Sequence, residues 1–562
     1  MIWRHQQGLE GPGVGAKNAG IRLVKRGGSM HSGLQLKKAD LASSYDAVVV
    51  GSGMGGLAAA ASLSRAGWKV LVCERHDTAG GFTHTFSRGN YTWDVGVHYI
   101  GDVTRQDSRL RRTFDYITKG QLSWQPMDEI YDAIEVDGRT YEFIAGQDHL
   151  VRQLYRYFPE DKKGIDRYFQ LVAEVSRSSA PFFLQRALPP KVGRFLFSPL
   201  SKRFLSYASQ TTGAVLDGIT KNRTLTRVLT GQWCDYGLPP ESSSFAMHAM
   251  VASHYFGGAS YPSGGAASIA KTIYPVIKES GGEMVVNASV SALDIQRGRL
   301  SGVKLANGQH VASQCVISDI GVEKTYQKFV APHRPIPNDV AAYLKQKNYS
   351  MGHVCLYLGL QGDARSLGLK STNLWLHRAA HADQNFAALS RLLGDEARVV
   401  FISFPSVKDP EWPILHPGLS TIEVIAPANF ENFRAWEDSS WQKRGQGYVA
   451  WKDELAGVLL DIVEAKLPGV RSHVEIAELS TPLSTKHFAG YEHGEIYGLR
   501  HDPQRFKQSW LRVDTPIDGL YLTGQDLVTC GVSGALISGV LTAARVLSGR
   551  DALRLLRQTL AS

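Results

Sequence analysis

A glycine-studded turn between two short apolar runs constrains this chain more than any other feature. It reads VVVGSGMGGLAAAASLSRAGWKVLVCE, from Val48 to Glu74. Ala47 to Val50 is apolar and β-branched, which suits a strand buried on both faces. Gly51, Gly53 and Gly56 hold the G-x-G-x-x-G spacing, with Gly55 among them. That spacing gives a tight turn, a backbone bare enough for a diphosphate to approach, and close packing of helix on strand. The small residues from Gly55 to Ala66 predict a helix whose positive end faces the phosphates, and Gly67 ends it. Lys69 to Cys73 predicts a second parallel strand. Glu74 then stands where a carboxylate accepts hydrogen bonds from an adenosine ribose. Together these elements predict a dinucleotide-binding unit of the α/β class.

At 562 residues, 43% hydrophobic and 20% charged, the chain is long enough for two or more domains with their own cores. Its five cysteines (Cys73, Cys234, Cys315, Cys355 and Cys530) are widely spaced with no C-x-x-C pair. This argues against a zinc cage or a disulfide framework, so no metal site is expected, and it fits a reducing, cytoplasmic compartment. The net charge of +10 does not imply nucleic acid as a partner, because half of it is local. Residues 1–40 carry seven Lys or Arg against Glu10 and Asp40. Residues 1–42 therefore read as a basic, disordered leader, with Met30 an alternative start and organelle targeting a minor reading. No run of about 18 apolar residues predicts a membrane-spanning helix.

The nucleotide domain is expected from three separated segments, 43–115, 245–325 and 475–562. In the second, GGEMVVNASVSALDI alternates apolar and polar residues, and Asn307-Gly308 marks a turn, as in a β-meander. In the third, Leu520 to Thr523 reads as a strand and Gly534 to Leu547 as a small-residue helix. The intervening segments, 116–244 and 326–474, are richer in aromatics and Pro and are assigned to a mixed α+β substrate domain.

Four blocks carry a family resemblance: GGFTHTF (Gly80 to Phe86), DVGVHYIG (Asp94 to Gly101), MHAMVASHYFGGASYPSGG (Met247 to Gly265) and GLYLTGQDLVTCGVSGAL (Gly519 to Leu536). They resemble the retinol saturase and carotenoid isomerase branch of the phytoene desaturase-like flavoproteins. The resemblance implies a Rossmann-type, glutathione reductase-like FAD domain built from discontinuous segments, and oxidoreductase chemistry at carbon-carbon double bonds of a polyene, isoprenoid or lipid. It implies that Gly51, Gly53, Gly55, Gly56, Glu74 and Arg75 take the ADP half of FAD, that Gly80 and Gly81 approach phosphates or flavin, and that the backbone of Val290 meets the adenine. Gly524 and Asp526 would lie where the chain crosses the diphosphate and ribityl, with the Gly534 helix aimed at the flavin. Asp526 also suits an N-cap of that helix. Phe82 follows the glycine pair where amine-oxidase relatives carry Arg, which disfavours amine oxidation. Only one G-x-G-x-x-G set stands in strand-turn-helix context, so electrons are expected from transiently docked NAD(P)H or a redox partner protein.

For a proton donor, the candidates are His84, His98, Tyr99, His254 and Tyr261, each of which also suits a hydrogen-bonded core or cavity-lining role. Reduction, desaturation and cis-trans isomerisation remain alternatives on this fold. A carrier resembling the prenyl-binding GDP-dissociation inhibitors is the alternative of another class, disfavoured by the intact glycines, Glu74 and Asp526. Residues 180–209 interleave six Phe or Tyr with five Lys or Arg and hold no acid. This pattern suits peripheral contact with an anionic membrane, or an apolar lid over the substrate. Its prolines, Pro189, Pro190 and Pro199, are expected to break the stretch into short pieces.

Overall fold

Ala47–Val50 and Val70–Cys73 are buried strands lying side by side in parallel, joined by the helix Met54–Arg65. The computed structural model describes residues 32–296, 298–378, 383–394 and 397–560. Every residue of that helix except Arg65 is buried, because its glycines and alanines let neighbours approach from all sides. Six parallel strands make the nucleotide sheet, in the order Leu34–Gln35, Glu283–Val286, Val70–Cys73, Ala47–Val50, Val316–Ser318, Leu520–Leu522. An antiparallel meander of Val290–Gln296, Arg299–Leu305 and His310–Ala312 leads into the Val316–Ser318 strand.

One expectation is corrected here. The leader over residues 1–31 lies outside the described residues, but Leu34–Gln35 is ordered, paired with Val285 and Val286. The outer edge of the Glu283–Val286 strand offers unpaired amides and carbonyls, and this dipeptide satisfies them.

The second sheet has seven strands, in the order Val474–Ser480, Gly352–Gln361, Leu419–Ala428, Val399–Ser403, Asn373–His377, Ile130–Val136, Arg139–Ile144. All its pairs are antiparallel except Asn373–His377 with Ile130–Val136. Alternation along Gly352–Gln361 sorts its two faces. Val354, Leu356, Leu358 and Leu360 join a core with Leu389, Leu455 and Leu459 of the helices Gln384–Leu393 and Gly445–Lys466. Cys355 and Tyr357 pack on the other side with Tyr91 and Trp93. Tyr357 reaches the cavity described below.

The aromatic-basic stretch also differs from expectation. Pro190–Ala208 is one helix rather than short pieces. Pro190 opens it, where no amide is needed, and Pro199 removes a single bond within it. Phe182, Phe183 and Phe204 are buried with Phe506, whereas Phe195 is 83% and Leu200 59% exposed. Among the described residues no helix is long and apolar enough to cross a membrane.

Candidate active site

A cavity of about 1420 Å³ runs from the glycine loop to the seven-stranded sheet. Gly51, Ser52, Gly53 and Met54 form its floor at one end, directly before the helix Met54–Arg65. Glu74 is only 8% exposed but faces this end. Its carboxylate accepts from the Ser52 amide (2.9 Å), the Ser52 hydroxyl (2.7 Å) and the His76 amide (2.8 Å). A carboxylate accepts about four hydrogen bonds, so one site is left for a ribose hydroxyl. The Ser52 hydroxyl in turn accepts from Gly80 at 3.0 Å, which fixes the second glycine pair beside the first. A Cβ on Gly81 would lie 2.9 Å from the Gly53 Cα, so side chains at this junction would fill the cradle. Arg75 donates to the carbonyls of His487 and Phe488, both at 2.7 Å, and lines the rim, while Val290 closes another wall.

The C-terminal block approaches the same floor. Gln525 lines the cavity, and Gly524 packs on Gly55, where a Cβ would lie 2.6 Å from the Gly524 backbone. Gly56 likewise closes on the Gly51 carbonyl. The helix Gly531–Leu547 starts at the wall, exposing Gly531, Val532 and Ala535 to the cavity, while Gly534 lies tight against the Thr529 carbonyl inside the helix. Asp526 is placed differently from the sequence expectation. Its two oxygens accept from the amides of Val322 (2.9 Å) and Leu499 (2.8 Å), so it neither lines the cavity nor caps the helix, and instead ties three chain segments beneath the floor.

Away from the cradle the cavity becomes an apolar arm walled by Met351, Tyr357, Trp375, Phe401, Ile425 and Tyr497. Of the five proton-donor candidates, two line the cavity. His84 rests its Nδ1 on the Gly81 carbonyl, and burial, then His76, pushes its pKa down to about 4. His98 places Nδ1 2.7 Å from Oε2 of Glu423, and burial, then Lys408, lowers its pKa to about 4. The other three stand behind the wall. The Tyr99 hydroxyl, with one proton to give, lies between Asp132 (3.1 Å) and Asp235 (3.2 Å), and its ring stacks on Tyr255; His254 accepts from the Gly101 amide at 2.7 Å; Tyr261 donates to Asp94.

Several groups here carry no sequence signal. Asp235 lines the arm, and burial, then the nearby Asp132, raises its pKa to about 8, so it keeps its proton at neutral pH. Glu423 is wholly buried behind His98 and is likewise raised to about 8 by burial. Lys408, pushed down to about 7 by burial, donates to the His98 carbonyl (2.9 Å), the Ser403 hydroxyl (2.7 Å) and Asn373. Asp319, on the cavity floor, is raised to about 8 by burial. Among the described residues no cluster of His, Cys, Asp and Glu could hold a metal.

The bare glycine floor, the buried Glu74 carboxylate with one free acceptor site and the Asp319 carboxyl, whose Oδ2 makes no hydrogen bond of ordinary geometry, are what a bound dinucleotide would satisfy, so the residues fit FAD.

Residues 54–349 match the family model for flavin containing amine oxidoreductases. The chain is 35% identical over 539 residues to the all-trans-retinol 13,14-reductase of Danio rerio, covering 92% of this chain and 88% of that protein. It is 25% identical to the chloroplastic prolycopene isomerase 2 of an Oncidium hybrid, covering 92% and 86% of the two chains. In structure it resembles cyclohexylamine oxidase from Brevibacterium oxydans, with a TM-score of 0.57, 17% identity, and coverage of 92% and 100%.

Proposed function

Because the chain belongs to the flavin containing amine oxidoreductases, in the branch of the retinol 13,14-reductases and prolycopene isomerases, we propose that it reduces a carbon-carbon double bond of a hydrophobic polyene, using FAD. The observation that carries this reading is the apolar arm opening off the nucleotide cradle, with a buried carboxyl, Asp235, on its wall, whose pKa burial raises. Glu74 and the Gly51–Gly53 loop would hold the ADP half, and the N-terminus of the Gly531–Leu547 helix would face the ring system. FAD, when bound, supplies two-electron exchange with one carbon of the double bond.

The protein's own part is to exclude water, orient the chain and move one proton. Met351, Trp375, Phe401 and Ile425 give an elongated polyene apolar contact. His98 stays neutral and Glu423 holds its proton, so the arm presents little charge to such a substrate. Asp235 donates its carboxyl proton to the second carbon. The carboxylate left behind accepts from Tyr99 and Tyr255. The alkene thereby gains two electrons and two hydrogens, and the electrons are drawn from NAD(P)H or a redox protein that docks transiently. Substrate is taken from an anionic membrane, on which exposed Phe195 and Leu200, flanked by Lys191 and Lys202, would rest.

The test is anaerobic. Flavin in the purified protein is reduced with dithionite and all-trans-retinol, a carotenoid or another polyene is added. Reoxidation of the flavin with a product two mass units heavier supports the reading. Geometric change of the polyene with the flavin still reduced would make the protein an isomerase, and flavin that no polyene reoxidises would remove reduction from consideration.

A further inference from the structure

Asp319 immediately follows the strand Val316–Ser318, and its amide donates to the carbonyl of Val50, the last residue before the glycine loop, at 2.8 Å. Its carboxyl therefore lies where that loop meets the C-terminal block. A Cβ on Gly53 would stand 2.5 Å from Oδ2, one on Gly55 2.9 Å from Oδ1, one on Gly56 3.0 Å from Oδ2 and one on Gly524 2.5 Å from Oδ1. Four glycines thus leave room for this one carboxyl, not only for a diphosphate. It also lines the cavity, and Oδ2, although the Gly53 and Gly56 amides lie close to it, makes no hydrogen bond of ordinary geometry in the described structure.

The charged groups acting on it are Glu74, at the end of Val70–Cys73, and Asp526, after Leu520–Leu522, both acidic. Tyr491 also faces it, with a phenol that burial keeps protonated. The loop and the first turn of Met54–Arg65 bring only backbone amides, of which those of Gly56 and Gly53 favour the anion. Burial outweighs them and raises Asp319.

We propose that Asp319 is a FAD-binding residue that acts as the neutral acid, donating its proton to a diphosphate oxygen, so that FAD is held firmly only while that proton is present. A carboxylate at this place would set a third anion beside Glu74 and the diphosphate, whereas a carboxylic acid gives a short O–H···O⁻ bond to it. Binding then retains a proton that the free protein loses as pH rises, so affinity falls with rising pH.

This inference rests on the FAD reading, and the experiment separates the two. FAD is removed from the full-length protein, and rebinding of FAD, and of ADP as a diphosphate without flavin, is followed from pH 6 to 9.5 by flavin fluorescence and calorimetry. For the native protein the Kd should stay level at low pH and then rise, approaching tenfold per pH unit above about 8. D319N, a neutral group of the same shape, should give a level profile and bind at least tenfold more tightly than the native protein at pH 9.5. D319S is a second neutral variant should D319N fail to fold. A level native profile, or a D319N slope equal to the native one, overturns the proton's role. Failure to bind FAD at every pH would instead overturn the cofactor reading.

Discussion

Gly539→Ala and Gly457→Ala make the same chemical change in two helix interiors and are expected to move stability in opposite directions. Gly457 lies in Gly445–Lys466, and a Cβ there meets nothing within 4 Å. Only the gain in helix propensity and the loss of unfolded-state freedom remain, together about 0.5–1 kcal/mol in favour of the variant. Gly539 lies buried in Gly531–Leu547, where a Cβ would stand 2.3 Å from the Gly55 carbonyl oxygen and 2.6 Å from the Ala58 Cβ. Ordinary Cβ contacts begin near 3.4 Å, so the two helices must part by about 1 Å. Overpacking of this kind costs about 1–3 kcal/mol, and contacts this short belong to the upper part of that range, so a net loss of up to about 2.5 kcal/mol is left after the propensity gain. The atom pushed is in the first turn of Met54–Arg65, under the proposed diphosphate site, so FAD affinity should fall along with stability. Denaturant titration of both variants, with FAD Kd measured in parallel, is the assay. G539A unchanged in midpoint and in Kd would refute the claim that helix contact sets the cradle. G457A without a gain would refute the propensity argument.

Asp235→Asn should keep FAD and slow polyene reduction by roughly 10²–10⁴-fold, in single-turnover kinetics. The native rate should fall as pH rises through about 8, since the donor form is lost there, and D235N should lack that limb. Glu74→Ala leaves the Ser52 and His76 amides without their acceptor and should weaken FAD binding by about 1–3 kcal/mol in calorimetry. Phe195→Glu with Leu200→Glu should abolish sedimentation with anionic vesicles while leaving the unfolding midpoint unchanged; retained sedimentation would exclude this helix as the contact.

What was legible in the sequence was local. The strand-turn-helix-strand unit and the meander declare themselves within a few dozen residues, because periodicity and glycine placement are short-range signals. The small-residue C-terminal helix was found too, although it begins three residues earlier than Gly534. The chemical wall of the cavity was not legible. Asp235 meets Tyr99 across 136 positions, and Asp132 meets Asn373 across 241, so nothing near either aspartate marks it out. Tyr99, His254 and Tyr261 sat in distinctive blocks, yet their polar atoms are turned to Asp132, Gly101 and Asp94. Asp526 stood out by its neighbours, but both its oxygens serve backbone amides. Pro199 misled because proline propensity describes an isolated segment, whereas packing of Phe204 on Phe182 holds this one helical.

The order of strands in the nucleotide sheet also sets a timetable for biosynthesis. Ala47–Val50 is made well before its neighbour Val316–Ser318, which follows hundreds of residues later, and Leu520–Leu522, which closes the sheet, is made later still. At about 5–20 residues per second, the first strand waits tens of seconds for its last companions. Through that interval the apolar sides of Met54–Arg65 lack the Gly531–Leu547 helix that covers them. Nascent chains stalled before residue 520 should therefore hold chaperones and bind no cofactor, and FAD supply should govern the yield of finished protein rather than the rate of its synthesis.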